Sequence, residues 1–484
     1  MWSSLKLLLL AYLARPVIGA CSPTSPSSGT CPIADLKSTL SKDASITYNR
    51  SSDPRWSDFN PPLPGAIINV ATESDVVATV RFCKANNIPY LAQNGGTGWI
   101  STFHLGSNGV VINLRGLNQI SFNPARTQAT IGGGIIISEA IQAAYANNAQ
   151  LTTGNCNCVG VLGAILGGGY GNLMGLNGFG VDTLLSVNLV NSDGKLITVN
   201  SSNADLWWAL RGAGPNFGIV TSAVILSSYV AQVDNKAWLG SLIYTEDKLE
   251  TVVAAIESLR LEPRMNVFLY FVVSDSRPVV LVTPFYYGSE ATARQKFATL
   301  LNIGPTMDTT AVVAYNHWND GAEGFCIKGE RKPAFAAGFM HMIPAAWRAV
   351  WNEFVAFTSH PGTASTIILM EAYSLGKGQS VPDDSSAFPH RHIRFNAAAL
   401  PWYPDKSLDP VADAFKDRVR NIWWTNDNLT TNASYINFAS GDEELDVVYG
   451  SSLQRLQTLK KRYDPRNVFN QWFPLSPVSR TAIL

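Results

Sequence analysis

Between residues 67 and 226, short apolar runs alternate with glycine-rich turns. SDVVATVRFCKANN (74–87) repeats its apolar positions at helical spacing and leads into IPYLAQ, a short strand. GVVINL (109–114) and TQATIGGG (127–134) read as strands, and ISEAIQAAYANN (137–148) as an amphipathic helix. LLSVNLVNSDGKLITV (184–199) reads as a hairpin turning at Ser-Asp-Gly. From about residue 230 the pattern changes. Helices are predicted over 249–260, 289–302 and 345–357, and strands over 266–273, 278–287 and 365–373. Asp409-Pro410 predicts a helix start, with Asp409 as N-cap and Pro410 in the first helical position. Strands flanked by helices imply one sheet covered on one face. At the end, Leu453, Leu456, Leu459 and Tyr463 line one face of a helix that Asp464-Pro465 stops. The expected class is α+β.

Composition narrows this picture. Of 484 residues, 46% are apolar and 15% charged, which suits a large buried core and excludes disorder. Lys+Arg and Asp+Glu each number 36, so there is no basic field for nucleic acid. Residues 1–20 carry Lys6, an apolar run from Leu7 to Ala14, and small residues at Gly19 and Ala20. That run is shorter than the about 20 residues a bilayer span needs, so a cleaved signal peptide is expected and no membrane anchor. Its removal takes away Lys6 and Arg15 and leaves two more acids than bases. Asn-x-Ser/Thr triplets at Asn49, Asn200, Asn428 and Asn432 fit a secreted or lumenal glycoprotein. Cys21, Cys31, Cys83, Cys156, Cys158 and Cys326 would then meet an oxidising compartment, where some pair. Spacing alone leaves the connectivity open.

Three glycine clusters carry the candidate chemistry: QNGGTGW (93–99), GNCNCVGVLGAILGGGYGNLMGLNGFGVD (154–182) and DLWWALRGAGPNFGIVTS (205–222). Glycine lets backbone N–H groups approach a phosphate with no Cβ in the way. One such loop reads as a tight turn. Three within about 130 residues point to an extended cofactor held mainly by backbone. There is no GxxxxGK[ST], and RGAGPNFG lacks the third glycine of a dinucleotide turn and leads into a strand. The six histidines are too scattered for a metal pattern, and no metal is expected.

GG-x-G-W after a short strand, C-x-x-VG followed by LGGGYG, DLWWALRGAGPNFGIVTS and the terminal YGSSLQRLQTLKKRYDPRNVF occur here in order. Together they resemble the berberine bridge enzyme-like flavoproteins, over roughly residues 55–477, and secreted fungal members of secondary metabolism in particular. The resemblance implies a two-part FAD-binding domain of the p-cresol methylhydroxylase/vanillyl-alcohol oxidase type and an α+β substrate domain, an antiparallel sheet covered by helices. The implied divisions are a signal peptide (1–20), an N-terminal extension (21–58), the FAD-binding domain (59–229), the substrate domain (230–434) and a C-terminal segment returning to the FAD domain (435–484). In that family the first loop wraps the pyrophosphate and bears a histidine bonded to the flavin. Here that place is Thr97, which cannot make the bond. The family's cysteinyl link falls on Cys156, so FAD is expected with one covalent bond or none. The bland alternative for Cys156 and Cys158 is a structural disulfide or inert buried thiols, although strain disfavours a C-x-C pair bonding within itself. Cys31 and Cys83 match a disulfide pair of relatives, and Cys21 and Cys326 stay unassigned. The implied cofactor contacts are Gly95, Gly96, Thr97, Gly98, Trp99, Cys156, Val159, Gly160, Gly163, Gly168, Tyr170, Gly171, Gly218, Val220 and Asn437. Val159 matches a gate that admits oxygen in the family and so points to an oxidase.

A hydride acceptor needs a partner base. Relatives use a tyrosine, or a glutamate on the substrate-domain sheet. YINF (435–438) matches the family's Y-x-N-Y but ends in Phe438, which leaves Tyr435 as the candidate phenol. His390, in FPHRHIRFN, is the candidate imidazole, and with Arg391 it matches an F-P-H-R stretch seen in close relatives, which implies that the two frame the pocket; His392 reads as solvent-facing. The expectation is a monomeric, secreted oxidase taking O2 and a small, largely apolar metabolite, with oxidative cyclisation as a further outcome. A carbohydrate or alcohol oxidase and a non-redox isomerase or cyclase are the alternatives.

Overall fold

The computed structural model describes residues 33–49, 53–427 and 429–476. The expected signal peptide, Cys21, Cys31 and Asn428 lie outside them. Three sheets organise the chain. In the first, Ala66–Asn69 and Tyr90–Gln93 both pair in parallel with Val110–Asn113, and Ser45–Thr47 adds an antiparallel edge. The helix Glu73–Asn86 crosses between its parallel strands. Thr72 starts that helix in a capping box: its hydroxyl accepts from the Asp75 N–H, and the Asp75 carboxylate accepts from the Thr72 N–H at 2.9 Å.

The second sheet is antiparallel. Its order is Ile120–Phe122, Gln128–Gly132, Ile219–Tyr229, Leu184–Val190, Leu196–Val199, with Ala149–Leu151 on the far end of the long Ile219–Tyr229 strand. The hairpin predicted over 184–199 is present, and Gly194 takes a φ of +70° in its turn. The helix Ala204–Ala213 packs against the C-terminal helix Leu453–Tyr463, whose Leu456 and Leu459 are buried.

The third sheet has nine strands and is antiparallel throughout. Its centre is Arg277–Tyr286, Met265–Ser274, Ile367–Tyr373, Phe395–Leu400 and Phe335–Phe339. The helices Leu249–Ser258, Pro344–Thr358 and Asp409–Thr425 cover one face. Period-two alternation sends Val267, Leu269, Phe271, Ile368, Met370 and Ala372 into that helical core. The intervening Phe268, Tyr270, Leu369 and Tyr373 face the glycine-rich half instead. The α+β class and its helix-covered antiparallel sheet are as the sequence implied.

Two local readings change. The helix expected over 289–302 breaks at Phe297 into Glu290–Lys296 and Ala298–Leu301. Asp409 is not an N-cap: a 3-10 turn, Lys406–Leu408, precedes it, and its carboxylate binds Arg331 at 2.6 Å and the Tyr403 hydroxyl at 2.9 Å. A partly buried guanidinium in a two-pronged pair supplies more than a helix terminus can offer.

Candidate active site

A cavity of about 340 Å³ lies between the glycine-rich loops and the open face of the nine-stranded sheet. Gly95, Gly96, Thr97, Gly98 and Trp99 line one side, with Cys156, Val159, Gly160 and Gly163 beside them. Tyr270, Leu369, Glu371 and Tyr373 line the sheet side, and Tyr170, Tyr435, Asn437 and Phe438 close the end. A second cavity of about 150 Å³ shares Gln93, Asn94, Gly163 and Pro215 with the first and continues to Gly218 and Val220. The two adjoin, giving an elongated space.

Close backbone packing brings the loops together. A Cβ at Gly95 would stand 2.3 Å from the Cys158 carbonyl oxygen, and one at Gly160 would stand 2.5 Å from Asn94 Nδ2. Gly163 differs: a Cβ there would meet nothing within 4 Å. Its backbone therefore faces open space in both cavities. Asn94 Oδ1 and Trp99 Nε1 are buried with no hydrogen-bond partner in the chain, an acceptor and a donor left to a ligand. Arg55, which sequence reading missed, reaches into the cavity and donates to Gly98 O at 2.8 Å and to Gln93 Oε1. Burial lowers its guanidinium to about 10, still charged at neutral pH. An elongated dinucleotide with an anionic middle fits this set of groups.

The expected residues divide by position. Gly168 and Gly171 do not line the cavities. A Cβ on Gly168 would strike Phe388 at 2.7 Å, and one on Gly171 the Thr153 oxygen at 1.8 Å, so both serve close packing. Tyr435 lines the cavity, but its hydroxyl oxygen accepts from Gly169 N at 3.0 Å and from Asn437 Nδ2 at 2.8 Å. Burial pushes that phenol up to about 12. His390 corrects an expectation. It is 6% exposed, does not line the cavity, and sets Nε2 3.1 Å from Val448 O. Burial depresses it to about 4, so the ring is neutral at neutral pH, and its place away from the cavity lining is what removes it from the chemistry. Its neighbour Arg391 is also internal, in a two-pronged pair with Asp182 at 2.7 and 2.8 Å.

Residues 64–200 match the FAD binding domain model, and residues 434–472 match the model described as berberine and berberine like. The chain is 32% identical to the FAD-linked oxidoreductase OXR1 of Pyricularia oryzae, over 86% of this chain and 84% of that one. It belongs to the berberine bridge enzyme-like FAD-linked oxidoreductases. The fold is that of BBE-like 1 from Physcomitrella patens, with a TM-score of 0.80 and 21% identity over 93% of this chain and 100% of that one. Glucooligosaccharide oxidase from Acremonium strictum gives 0.78 and 19% over 92% and 99%, and is described with a 6-S-cysteinyl, 8α-N1-histidyl FAD.

Within this flavoprotein, Glu371 is the residue without a number in the sequence reading. It is 7% exposed on the Ile367–Tyr373 strand and lines the cavity. Burial pushes its carboxyl up to about 7, against a hydrogen bond from Tyr373 at 2.9 Å that favours the charged form. Asn155 Nδ2 in turn donates to the Tyr373 oxygen at 2.7 Å. The signal was legible: IILMEAY holds one acid in an apolar run, in phase with Leu369 and Tyr373. Cys158 is disulfide-bonded to Cys326, which gives the unassigned Cys326 its partner, whereas Cys156 is a partly buried free thiol. Cys83 is buried in the first long helix, and its expected partner Cys31 is outside the described residues. Among the described residues, no helix is long and apolar enough to cross a membrane.

Proposed function

We propose that the protein is a secreted, monomeric oxidase of a small, largely apolar metabolite, with Glu371 as the proton acceptor. The observation that carries this is a single buried carboxylate, held near 7, in a cavity wall otherwise built of Tyr270, Leu369, Tyr373 and Phe438. A base poised near the working pH is half charged there and is strong enough to take a proton from a bound hydroxyl or amine. When bound, FAD supplies the hydride acceptor and, with O2, gives hydrogen peroxide.

The chain's own groups divide the remaining work. Amides around Gly95, Gly96, Gly98 and Gly160 hold the pyrophosphate, and Arg55 lends it a charge. Gly163 leaves room for the cofactor to pass between the cavities, and Gly218 and Val220 flank the smaller one. Cys156 is the candidate for a single thioether, and Thr97 leaves the histidyl link unmade. Val159 keeps an oxygen path open. Tyr435 and Asn437 fix the Gly167–Gly169 turn rather than move protons. Tyr373 and Asn155 orient Glu371. The divisions at residues 58, 229 and 434 complete the proposal.

The test is anaerobic mixing of the holo-protein with separate panels of apolar alcohols, amines and sugars. Bleaching by an apolar compound, with peroxide released on admitting air, is expected. Bleaching by sugars alone would make it a carbohydrate oxidase. Conversion without bleaching would make it a non-redox isomerase or cyclase.

A further inference from the structure

Three sulfurs meet at the cavity wall. Cys158 and Cys326 are bonded across 168 residues, with Cα atoms 5.6 Å apart. The Cys156 Sγ lies 3.7 Å from the Cys158 sulfur and 3.8 Å from the Cys326 sulfur. Cys156 and Cys158 stand on the loop that leads into the Val161–Ile165 helix, and Cys326 ends the 3-10 segment Asp320–Cys326. That segment lends Ala322 and Phe325 to the cavity. Two hydrogen bonds accompany the disulfide: Asn157 donates to Glu323 at 3.0 Å, and Asn319 donates to Gly154 O at 3.3 Å. Phe325 O also accepts from Trp56 Nε1 at 2.5 Å. The disulfide therefore latches one wall of the cavity onto the cofactor loop.

We propose that Cys156, Cys158 and Cys326 form one thiol–disulfide exchange site, in which Cys326 can be held by either Cys158 or Cys156. The step is an internal isomerisation. The Cys156 sulfur lies beside the S–S bond, nearly equidistant from its two atoms, so its side chain first turns into line with that bond. Cys156 loses its proton, its sulfur attacks the Cys326 sulfur, the Cys158–Cys326 bond breaks, and Cys158 leaves as a thiolate that takes up the proton. One disulfide and one thiol stand on each side, so no oxidant or reductant enters. Attack on the Cys158 sulfur would instead close a Cys-x-Cys ring, which strain disfavours, and would release the latch. Exchange at Cys326 keeps the cross-link and changes only which loop sulfur is free.

The resting arrangement follows from the surroundings. Burial, with Glu323 and Glu371 nearby, raises the Cys156 thiol to about 11, although the Cys158 N–H favours its thiolate. Little attacking thiolate is present at neutral pH, so exchange away from the observed Cys158–Cys326 bond is slow and the Cys156 sulfur stays free on the cavity side. On the proposed reading of Cys156 as the flavin-linking residue, that free sulfur is the one the cofactor uses. Exchange and flavin attachment then compete for a single atom.

The test is disulfide mapping of protein secreted from a eukaryotic host, trapped in acid and alkylated, with fragment ions read across Asn157. The wild type gives the Cys158–Cys326 peptide. Cys158→Ser is expected to give a Cys156–Cys326 peptide, with loss of both remaining thiols. Recovery of Cys326 and Cys156 unlinked in folded Cys158→Ser protein would overturn the proposal. If that variant does not fold, wild-type protein prepared without flavin and incubated at raised pH decides. A Cys156–Cys326 peptide must accumulate, and its absence after long incubation would overturn the proposal equally. Visible flavin absorbance of the same samples reports cofactor binding independently, so failure of the FAD site and failure of the exchange are read apart.

Discussion

Replacing Glu371 with Gln removes the one carboxyl group that lines the cavity and keeps its volume. Two magnitudes follow. A positioned general base contributes about 100- to 10,000-fold, so kcat/KM for the best compound of the substrate panels should fall within that range. In the wild type the rate should rise with pH through about 7, as the carboxyl loses its proton. The variant should lack that limb. The second magnitude concerns stability. Raising the carboxyl from 4.5 to about 7 corresponds to about 3 kcal/mol. The folded state binds the proton more tightly than the unfolded one. This stabilisation is therefore fully present below the ordinary value, declines as pH rises, and is gone above about 7. Chemical denaturation of both proteins at about pH 4 and about pH 8.5 should show the Gln variant gaining about 3 kcal/mol on the wild type between them. A variant with the wild-type pH profile of activity and a pH-independent stability difference would refute both the burial argument and the assignment of the base.

Other substitutions test other parts of the site. Gly163→Leu puts its Cβ where nothing stands within 4 Å and its side chain into the cavity space, so apo-protein stability should hold or improve, while FAD affinity measured by fluorescence quenching falls at least tenfold. Thr97→His in a Cys156→Ser background should turn a colourless denatured pellet yellow, since the imidazole restores a covalent link that threonine cannot make. Arg391→Met breaks a pair whose arginine is 1% exposed and leaves Asp182 unpaired, so unfolding titrations should show a loss of about 3–5 kcal/mol.

Much of the fold was legible because it is local. The hairpin at 184–199, the helix expected over 74–87 and the long strands around Phe268 and Leu281 follow from spacing and turn residues. The glycine clusters pointed to a cofactor because close backbone approach leaves a mark in composition, as Gly95 against Cys158 shows. What escaped depends on contacts distant in sequence. His390 looked available beside a strand, but Val448, 58 residues on, takes its ring. Asp409 looked like a cap, but Arg331 claims its carboxylate. The pairing of Cys158 with Cys326 spans 168 residues and leaves no trace in spacing. Arg55 sits in the stretch read as an N-terminal extension, and its reach to Gly98, 43 residues on, leaves no mark in the spacing.

The measurement closest to the central claim is the flavin content of the purified, secreted protein. One FAD per chain is expected, with absorbance lost on Gly163→Leu and retained on Glu371→Gln. A wild-type protein that carries no flavin and binds none when FAD is added would contradict the account at its root.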